Sequence, residues 1–193
     1  MAHEANIENG FAKVGDGVWL VGDQQPTAFL GECTPRSLRG FIVPDRSRLH
    51  LMEVRGSAWC GRADRPFLTQ IPCAAPIRVL SSKLLVAPAD ARTEGRLMRV
   101  IPFSFRNALC VTECTSEWLV TATRSRTVRL SLEEDELLSV RLEAAVAWTT
   151  KPPTAFLPRL TWRDILVPRP RARNLMLHFY GPGIVWMEGS NAT

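Results

Sequence analysis

The stretch "SLEEDELLSVRLEAAVAW" (Ser131–Trp148) decides the fold class, because it fits two kinds of secondary structure. A helix would begin with a capping box of Ser131 and Glu134 and repeat its apolar residues at helical spacing. A strand would follow a solvated acidic turn over 133–136 and alternate its apolar positions with polar ones. Those alternating apolar positions are Leu138, Val140, Leu142 and Ala144. The alternation favours the strand, and the helix stays an alternative.

The rest of the chain is a series of short apolar runs separated by Gly, Pro and polar clusters. Fourteen Pro and twelve Gly at such intervals argue against long helices and for strands bounded by turns. The segment Leu157–Leu166 is the other helical candidate, as a short turn. The runs that we predict as strands fall in Gly17–Gly22, Gly40–Pro44, Arg48–Val54, Pro76–Pro88, Gly95–Phe103 and Asn107–Leu132.

An internal repeat is visible when the chain is aligned with itself. "RNALCVTECTSEWLVTA" (Arg106–Ala122) matches "RNLMLHFYGPGIVWMEG" (Arg173–Gly189), and "FAKVGDGVWLVG" (Phe11–Gly22) is a third copy. A unit that cannot bury its apolar face alone stacks on its copies. We therefore predict one β domain over 1–193, with approximate units 11–60, 61–122 and 123–190. The predicted anchors of the repeat are Trp19, Trp118, Trp148, Trp186, Gly181 and Gly183.

The segment Gly181-Pro182-Gly183 could be a phosphate-binding loop or a corner between strands. A nucleotide loop needs a helix N-terminus after it, whereas "IVWMEG" follows here and has the pattern of a strand. Glycine supplies positive φ and room for close backbone approach in a corner. We interpret the segment as a corner.

The C-terminal half resembles a known family. "LEEDELLSVRLEAAVAWTT" and "RNLMLHFYGPGIVWMEGS" are similar to the altered inheritance of mitochondria protein number twenty-four family, with Glu136, Leu138 and Val140 and then Gly181-Pro182-Gly183 and Val185-Trp186 at its motif positions. The resemblance implies a double-stranded β-helix or β-prism-like stack with pseudo-threefold repeats, similar to the tryptophan-responsive RNA-binding attenuation protein. It also implies a non-enzymatic role in membrane or mitochondrial organisation.

Composition indicates a globular chain with reduced thiols. Of the 193 residues 46% are hydrophobic and 22% charged, which is ordinary for a globular domain. Five cysteines without paired CxxC spacing, and a polar, acidic N-terminus without an apolar core, predict a cytoplasmic protein. No apolar run reaches the roughly 18 residues that a membrane span needs.

No set of residues predicts an active site or a metal centre. The three histidines, His3, His50 and His178, have no H-x-H neighbour of the kind that metal-binding β-helices use. Cys110 and Cys114 lie four apart without a base at a fitting spacing, so we interpret them as buried apolar residues. We predict no catalytic residue, no metal and no cofactor.

An arginine-rich segment offers the alternative function. The chain has a net charge of +5, and its 24 basic residues include only three lysines. Arginines interleaved with aromatic residues are one way to hold single-stranded RNA or DNA. The residues concerned, in segment 159–173, are Arg159, Trp162, Arg163, Arg169, Arg171 and Arg173.

The function that the sequence favours is a non-enzymatic structural or protein-interaction module. Strands at the ends of the stacked sheets would leave open edges in a monomer, and self-association covers such edges. We therefore expect a homo-oligomer. The sequence does not identify any other protein partner.

Overall fold

A computed structural model describes residues 6–22, 28–36, 50–89, 94–99, 108–156 and 175–189. Within these ranges the chain forms sixteen β-strands and no helix, which confirms the all-β prediction. The predicted strand at Gly40–Pro44 and the predicted helical turn at Leu157–Leu166 lie outside the described residues.

The strands are named in chain order. They are β1 (Asn6–Glu8), β2 (Phe11–Val21), β3 (Ala28–Arg36), β4 (His50–Gly61), β5 (Phe67–Pro72), β6 (Ile77–Leu80), β7 (Leu84–Pro88), β8 (Glu94–Arg99), β9 (Ala108–Cys114), β10 (Trp118–Thr123), β11 (Thr127–Leu132), β12 (Leu137–Arg141), β13 (Ala145–Trp148), β14 (Thr154–Phe156), β15 (Met176–Tyr180) and β16 (Gly183–Glu188).

The described strands form three antiparallel sheets. Sheet A has the order β3-β4-β2-β7-β10-β5, with β1 added along β2. Sheet B has the order β8-β9-β6-β13-β16-β11, and sheet C has only β14-β15-β12. In these orders, each strand of sheet A has a counterpart at the same place in sheet B. The three strands of sheet C are the counterparts of the first three strands of sheets A and B.

Two of the connections between sheets are turns of three residues with the same closure. The turn over 81–83 joins β6 in sheet B to β7 in sheet A, and the turn over 142–144 joins β12 in sheet C to β13 in sheet B. Each turn is closed in the same way, because Lys83 N donates to Leu80 O at 2.7 Å and Ala144 N donates to Arg141 O at 2.9 Å. Two segments of the chain therefore have the same connectivity.

Burial follows the alternation of the strands. One apolar cluster lies between sheets A and B and includes Leu20, Leu119 and Val79. A second lies between sheets B and C and includes Trp148 and Phe179, whose ring centroids are 5.4 Å apart. Because successive residues of a strand point to opposite faces, sheet B buries both of its faces.

The segment 131–148 is not a helix. It forms the end of β11, an exposed acidic turn, β12 and β13. The alternation that we predict to run through Ala144 ends at Arg141, where the turn over 142–144 redirects the chain. Leu142 and Ala144 are nevertheless partly buried against the same core cluster as Val140, so their apolar pattern looks like a continued strand.

Gly181 and Pro182 form the corner between β15 and β16, and their peptide bond is cis. The predicted third copy of this corner, Gly15–Gly17, differs: it lies inside β2, where the pairing with β4 shifts register. Gly17 and Gly183 both have positive φ, +142° and +152°. The glycine pattern therefore identifies the need for positive φ but does not distinguish a bulge from a corner.

Backbone hydrogen bonds at the two equivalent turns give a different alignment from the one that pairs Trp118 with Trp186. Ala122 N donates to Lys83 O, and Glu188 N donates to Ala144 O, so these two bonds are equivalent. Trp186 lies two residues before Glu188, so it corresponds to Val120, two residues before Ala122. The strand pairing agrees, because Val120 pairs with Val86 as Trp186 pairs with Ala147. A slip of two residues keeps a side chain on the same face, so the apolar pattern cannot detect it.

We predict that Gly181→Ala destabilises the protein by several kcal/mol, about 3 or more, because backbone atoms cannot move away as a flexible side chain can. A methyl group at this position would overlap the carbonyl oxygen of Glu133. Gly15→Ala is the matched control, since a methyl group there meets no atom within 4 Å. Urea unfolding of both variants gives the answer, and equal losses would contradict the steric account.

Candidate functional site

The residues predicted for nucleic-acid contact lie outside the described part of the chain. This holds for Arg159, Trp162, Arg163, Arg169, Arg171 and Arg173. The four predicted tryptophan anchors are described and buried, at 7% exposure for Trp19, 5% for Trp118, 0% for Trp148 and 6% for Trp186. Side chains buried to this degree belong to the core and offer no surface on which a base could stack.

The described thiols are not poised as nucleophiles. Burial raises the pKa of Cys60 and of Cys114 to about 12 and that of Cys73 to about 11. A thiolate is the reactive form, and these values keep the thiols protonated near neutral pH. Cys33 is only partly buried, and burial raises its pKa as well.

Two further kinds of site were sought among the described residues. No three His, Cys, Asp or Glu side chains there come close enough together to hold a metal ion. The same ranges contain no helix of the length and apolar character needed to cross a membrane.

The outer edge of β12 is the most distinctive surface feature. No other described strand pairs with this edge, since sheet C ends there. Leu137 of β12 is 53% exposed and lies directly opposite Tyr180 of β15, which is 47% exposed. Cross-strand partners lie on the same face of a sheet, so the two side chains form one exposed apolar pair beside an open edge.

Opposite charges stand at the two ends of β12. The acidic turn over 133–136 is exposed and precedes Leu137, and it is held by a hydrogen bond of 2.7 Å from Glu133 N to Glu136 Oε2. Arg141 is exposed at the other end of the strand, and Ser139 is exposed at its centre. The edge therefore runs from negative to positive, with a small polar residue in the middle.

A buried ion pair and a hydrogen bond connect Lys83, in the turn over 81–83, with the end of β16 and with the turn over 142–144. The ammonium group of Lys83 pairs with the carboxylate of Glu188 and donates to Glu143 O at 2.9 Å. The two side chains are only 7% and 12% exposed. Burial lowers the pKa of Lys83, and the hydrogen bond and negative charge of Glu188 oppose that shift. The pair and the backbone acceptor together keep a desolvated ammonium group satisfied.

A second set of charges lies in the turn that follows β4. Arg62 donates to both carboxylate oxygens of Asp64, at 3.0 and 2.8 Å, and to Ser82 O at 3.2 Å. Arg65 follows, 9% exposed, and its Nε is 3.6 Å from Asp64 Oδ2. Burial lowers the pKa of Arg65, as does the charge of Arg62, while Asp64 and Glu188 raise it. We call Arg62, Asp64, Arg65, Lys83 and Glu188 the charged cluster.

A cleft of about 360 Å³ lies at one end of sheet A. It is formed by the turn between β1 and β2 and by the beginnings of β5 and β11, and its lining includes Ile7, Phe67 and Arg126. The cleft is open to solvent, and Arg126 is its only charged lining residue among those described. We assign it no chemistry.

Sequence reasoning missed both Lys83 and Arg65. Lys83 interrupts the apolar run 77–88. Because lysine is almost never fully buried, a lysine between two strands is usually interpreted as a solvated turn residue. Only one signal was present: Lys83 is one of three lysines in a chain in which arginine otherwise serves as the cation. Arg65 had no distinguishing neighbour in the sequence.

Comparisons with known proteins bear on the fold. No family model matches the chain, and no curated protein matches it. The crystal structure of protein SPYM3_0169 from Streptococcus pyogenes is similar, with a TM-score of 0.68 over 94% of this chain and 88% of that chain, at 11% sequence identity. At this identity the likeness shows a shared all-β fold only. The resemblance to the mitochondrial family stays a prediction.

We predict that Lys83→Met lowers the free energy of unfolding by about 3–5 kcal/mol, because it leaves the carboxylate of Glu188 buried without a counter-charge. The double variant Lys83→Met/Glu188→Leu should recover most of that loss. Lys13→Met is the control, since Lys13 is exposed and should change stability by about 1 kcal/mol or less. Additive losses in the double variant would contradict a coupled pair.

We also predict a loss of stability in alkali that depends on Cys114. Its folded pKa is raised from 9.0 to about 12, so its contribution is complete below pH 9 and is lost as the pH rises toward 12. At pH 10 the loss amounts to about 1 kcal/mol. Between pH 8 and pH 11 the free energy of chemical unfolding should decline less in Cys114→Ala than in the wild type. In Cys33→Ala, where the thiol is partly exposed, it should decline nearly as much as in the wild type. Parallel profiles for Cys114→Ala and wild type would rule the effect out.

Proposed function

We propose that this protein is a non-enzymatic interaction module that self-associates by pairing β12 with β12 of a second copy. The single observation that carries the proposal is the incomplete sheet C. It has three described strands and ends at β12, whereas sheet B and the main path of sheet A have six. Two copies joined antiparallel at β12 would form a continuous six-stranded sheet.

The lengths of the connections support this argument. In sheet A the next two strands beyond β2 are β7 and β10, which directly follow β6 and β9 in the chain, and in sheet B the next two strands beyond β6 are β13 and β16, which directly follow β12 and β15. The corresponding connections of the first third of the chain are short: six residues separate β2 from β3, and five separate β4 from β5. Neither is long enough for a strand of ordinary length together with its two turns. The chain therefore has no segment at these places with which to extend sheet C.

The charges along β12 favour a second copy in the antiparallel direction. Antiparallel pairing centred on Ser139 places Leu137 of each copy opposite Arg141 of the other. The acidic turn over 133–136 of one copy then lies beside the basic end of the other strand. Opposite charges across a strand pair are favourable, and like charges are not. The pairing would also cover Leu137 and Tyr180.

The same strand orders support the finer fold prediction, a pseudo-threefold stack of repeats as in the family that the C-terminal half resembles. The segment 67–123 supplies strands to sheets A and B, and the segment 127–188 supplies the corresponding strands to sheets B and C. The first segment of the chain supplies only the strands of sheet A. The proposed repeat is therefore complete in two units and shortened in the first, which is what leaves sheet C open.

We predict that the wild-type protein is a dimer by size-exclusion chromatography with light scattering, and that Leu137→Lys shifts it to the monomer. The new lysine would face Arg141 of the other copy, and two cations at that separation repel each other. The charge-restored variant Leu137→Lys/Arg141→Glu should recover the dimer, because it creates an opposite-charge pair at the same place.

Val128→Lys is the matched control for this experiment. Val128 is 43% exposed on β11, an edge strand of sheet B, so the substitution adds the same charge at another open edge. It should leave the mass unchanged. A monomeric wild type at every concentration, or loss of the dimer in Val128→Lys but not in Leu137→Lys, would reject pairing through β12.

A further inference from the structure

Arg65 has two hydrogen-bond donors that the described structure leaves without acceptors. Its Nε and Nη1 are buried and have no hydrogen-bond partner, although 11% of the side chain is exposed. The carboxylate of Asp64 lies 3.6 Å from Nε, beyond hydrogen-bonding distance, and already accepts two bonds from Arg62. Buried donors that have lost water without gaining an acceptor are rare and unfavourable.

The charges that act on Arg65 are of both signs. The cations Arg62 and Arg124 disfavour its charged form, and the carboxylates Asp64 and Glu188 favour it. Asp64 is already engaged by Arg62 and Glu188 by Lys83, so neither carboxylate is free to neutralise Arg65.

We infer that the turn 62–65, together with Arg124, binds a phosphate group, with the guanidinium of Arg65 as its principal donor. A phosphate carries a charge of about −1.5 to −2 at pH 7 and three strong acceptor oxygens, so it can accept from both Nε and Nη1 of Arg65 at once. Guanidinium groups bind phosphate oxygens with charge-assisted hydrogen bonds. The phosphate can come from the free ion or from a phosphate monoester, because both present the same oxygens.

The geometry also defines how the phosphate reaches its donors. The side chain of Asp64 is 50% exposed and is the surface group next to Arg65. Because Nε and Nη1 are covered, binding requires the turn 62–65 to shift, and the phosphate displaces the contact of 3.6 Å between Asp64 and Arg65. Asp64 therefore competes with the ligand.

Thermal unfolding in millimolar inorganic phosphate, against chloride at equal ionic strength, tests this inference. We expect phosphate to raise the Tm of the wild type by at least about 2–4 °C, because a ligand that binds only the folded state stabilises it. Arg65→Met should abolish the rise. Arg129→Gln removes an equal charge from an exposed arginine of β11 and should retain it.

Two further comparisons complete the experiment. Asp64→Asn should bind phosphate more tightly, with a larger rise at the same concentration, because it removes the competing charge; this variant decides the matter if Arg65→Met does not fold. Glycerol phosphate in place of inorganic phosphate distinguishes a site for an ester from one for the free ion, and acetate should have no effect. An equal rise in all variants, or none in the wild type, would overturn the inference. The readout does not depend on pairing through β12, because it compares variants at one protein concentration.

Discussion

The ammonium group of Lys83 is the interaction on which the arrangement of the sheets depends. It lies in the turn over 81–83, where the chain passes from β6 of sheet B to β7 of sheet A, and it reaches the carbonyl of Glu143 in the turn over 142–144, where the chain passes from β12 of sheet C to β13 of sheet B. Its counter-ion, Glu188, ends β16, whose backbone is bonded to the second turn through Ala144 O. One side chain thus links two of the several connections between the sheets. A buried ammonium group tolerates little misplacement, because its desolvation is offset only while both partners are present.

The sequence predicts the strands well and their arrangement poorly. Alternation identifies β12, whose Val140 is buried and whose Ser139 and Arg141 are exposed as the pattern indicates. The glycines of Gly181–Gly183 identify a corner, since a side chain at Gly181 would overlap the backbone at Glu133. Both are local properties, and periodicity and turn chemistry encode them directly. The same local signals give no account of which sheet a strand joins.

Register and long-range charge pairing lie beyond such signals. Trp118 and Trp186 look equivalent because a slip of two residues leaves a side chain on the same face. Lys83 and Glu188 are 105 residues apart in the sequence. No sequence pattern around either residue indicates that the two side chains pair. The charged cluster could therefore not be predicted, although it accounts for the unusual burial of Arg62, Arg65 and Lys83. The open edge of β12 follows only from the strand orders, which emerge from pairing and not from pattern.

Native-state hydrogen exchange of four amides tests the role of Lys83 most directly. The amides of Lys83 and Ala122 belong to the first crossing, and those of Ala144 and Glu188 belong to the second. If Lys83 ties the crossings together, all four amides exchange slowly through one opening, with the same dependence on denaturant. Exchange of Lys83 and Ala122 through an opening of clearly lower free energy than that of Ala144 and Glu188 would contradict it, because the two crossings would then open independently.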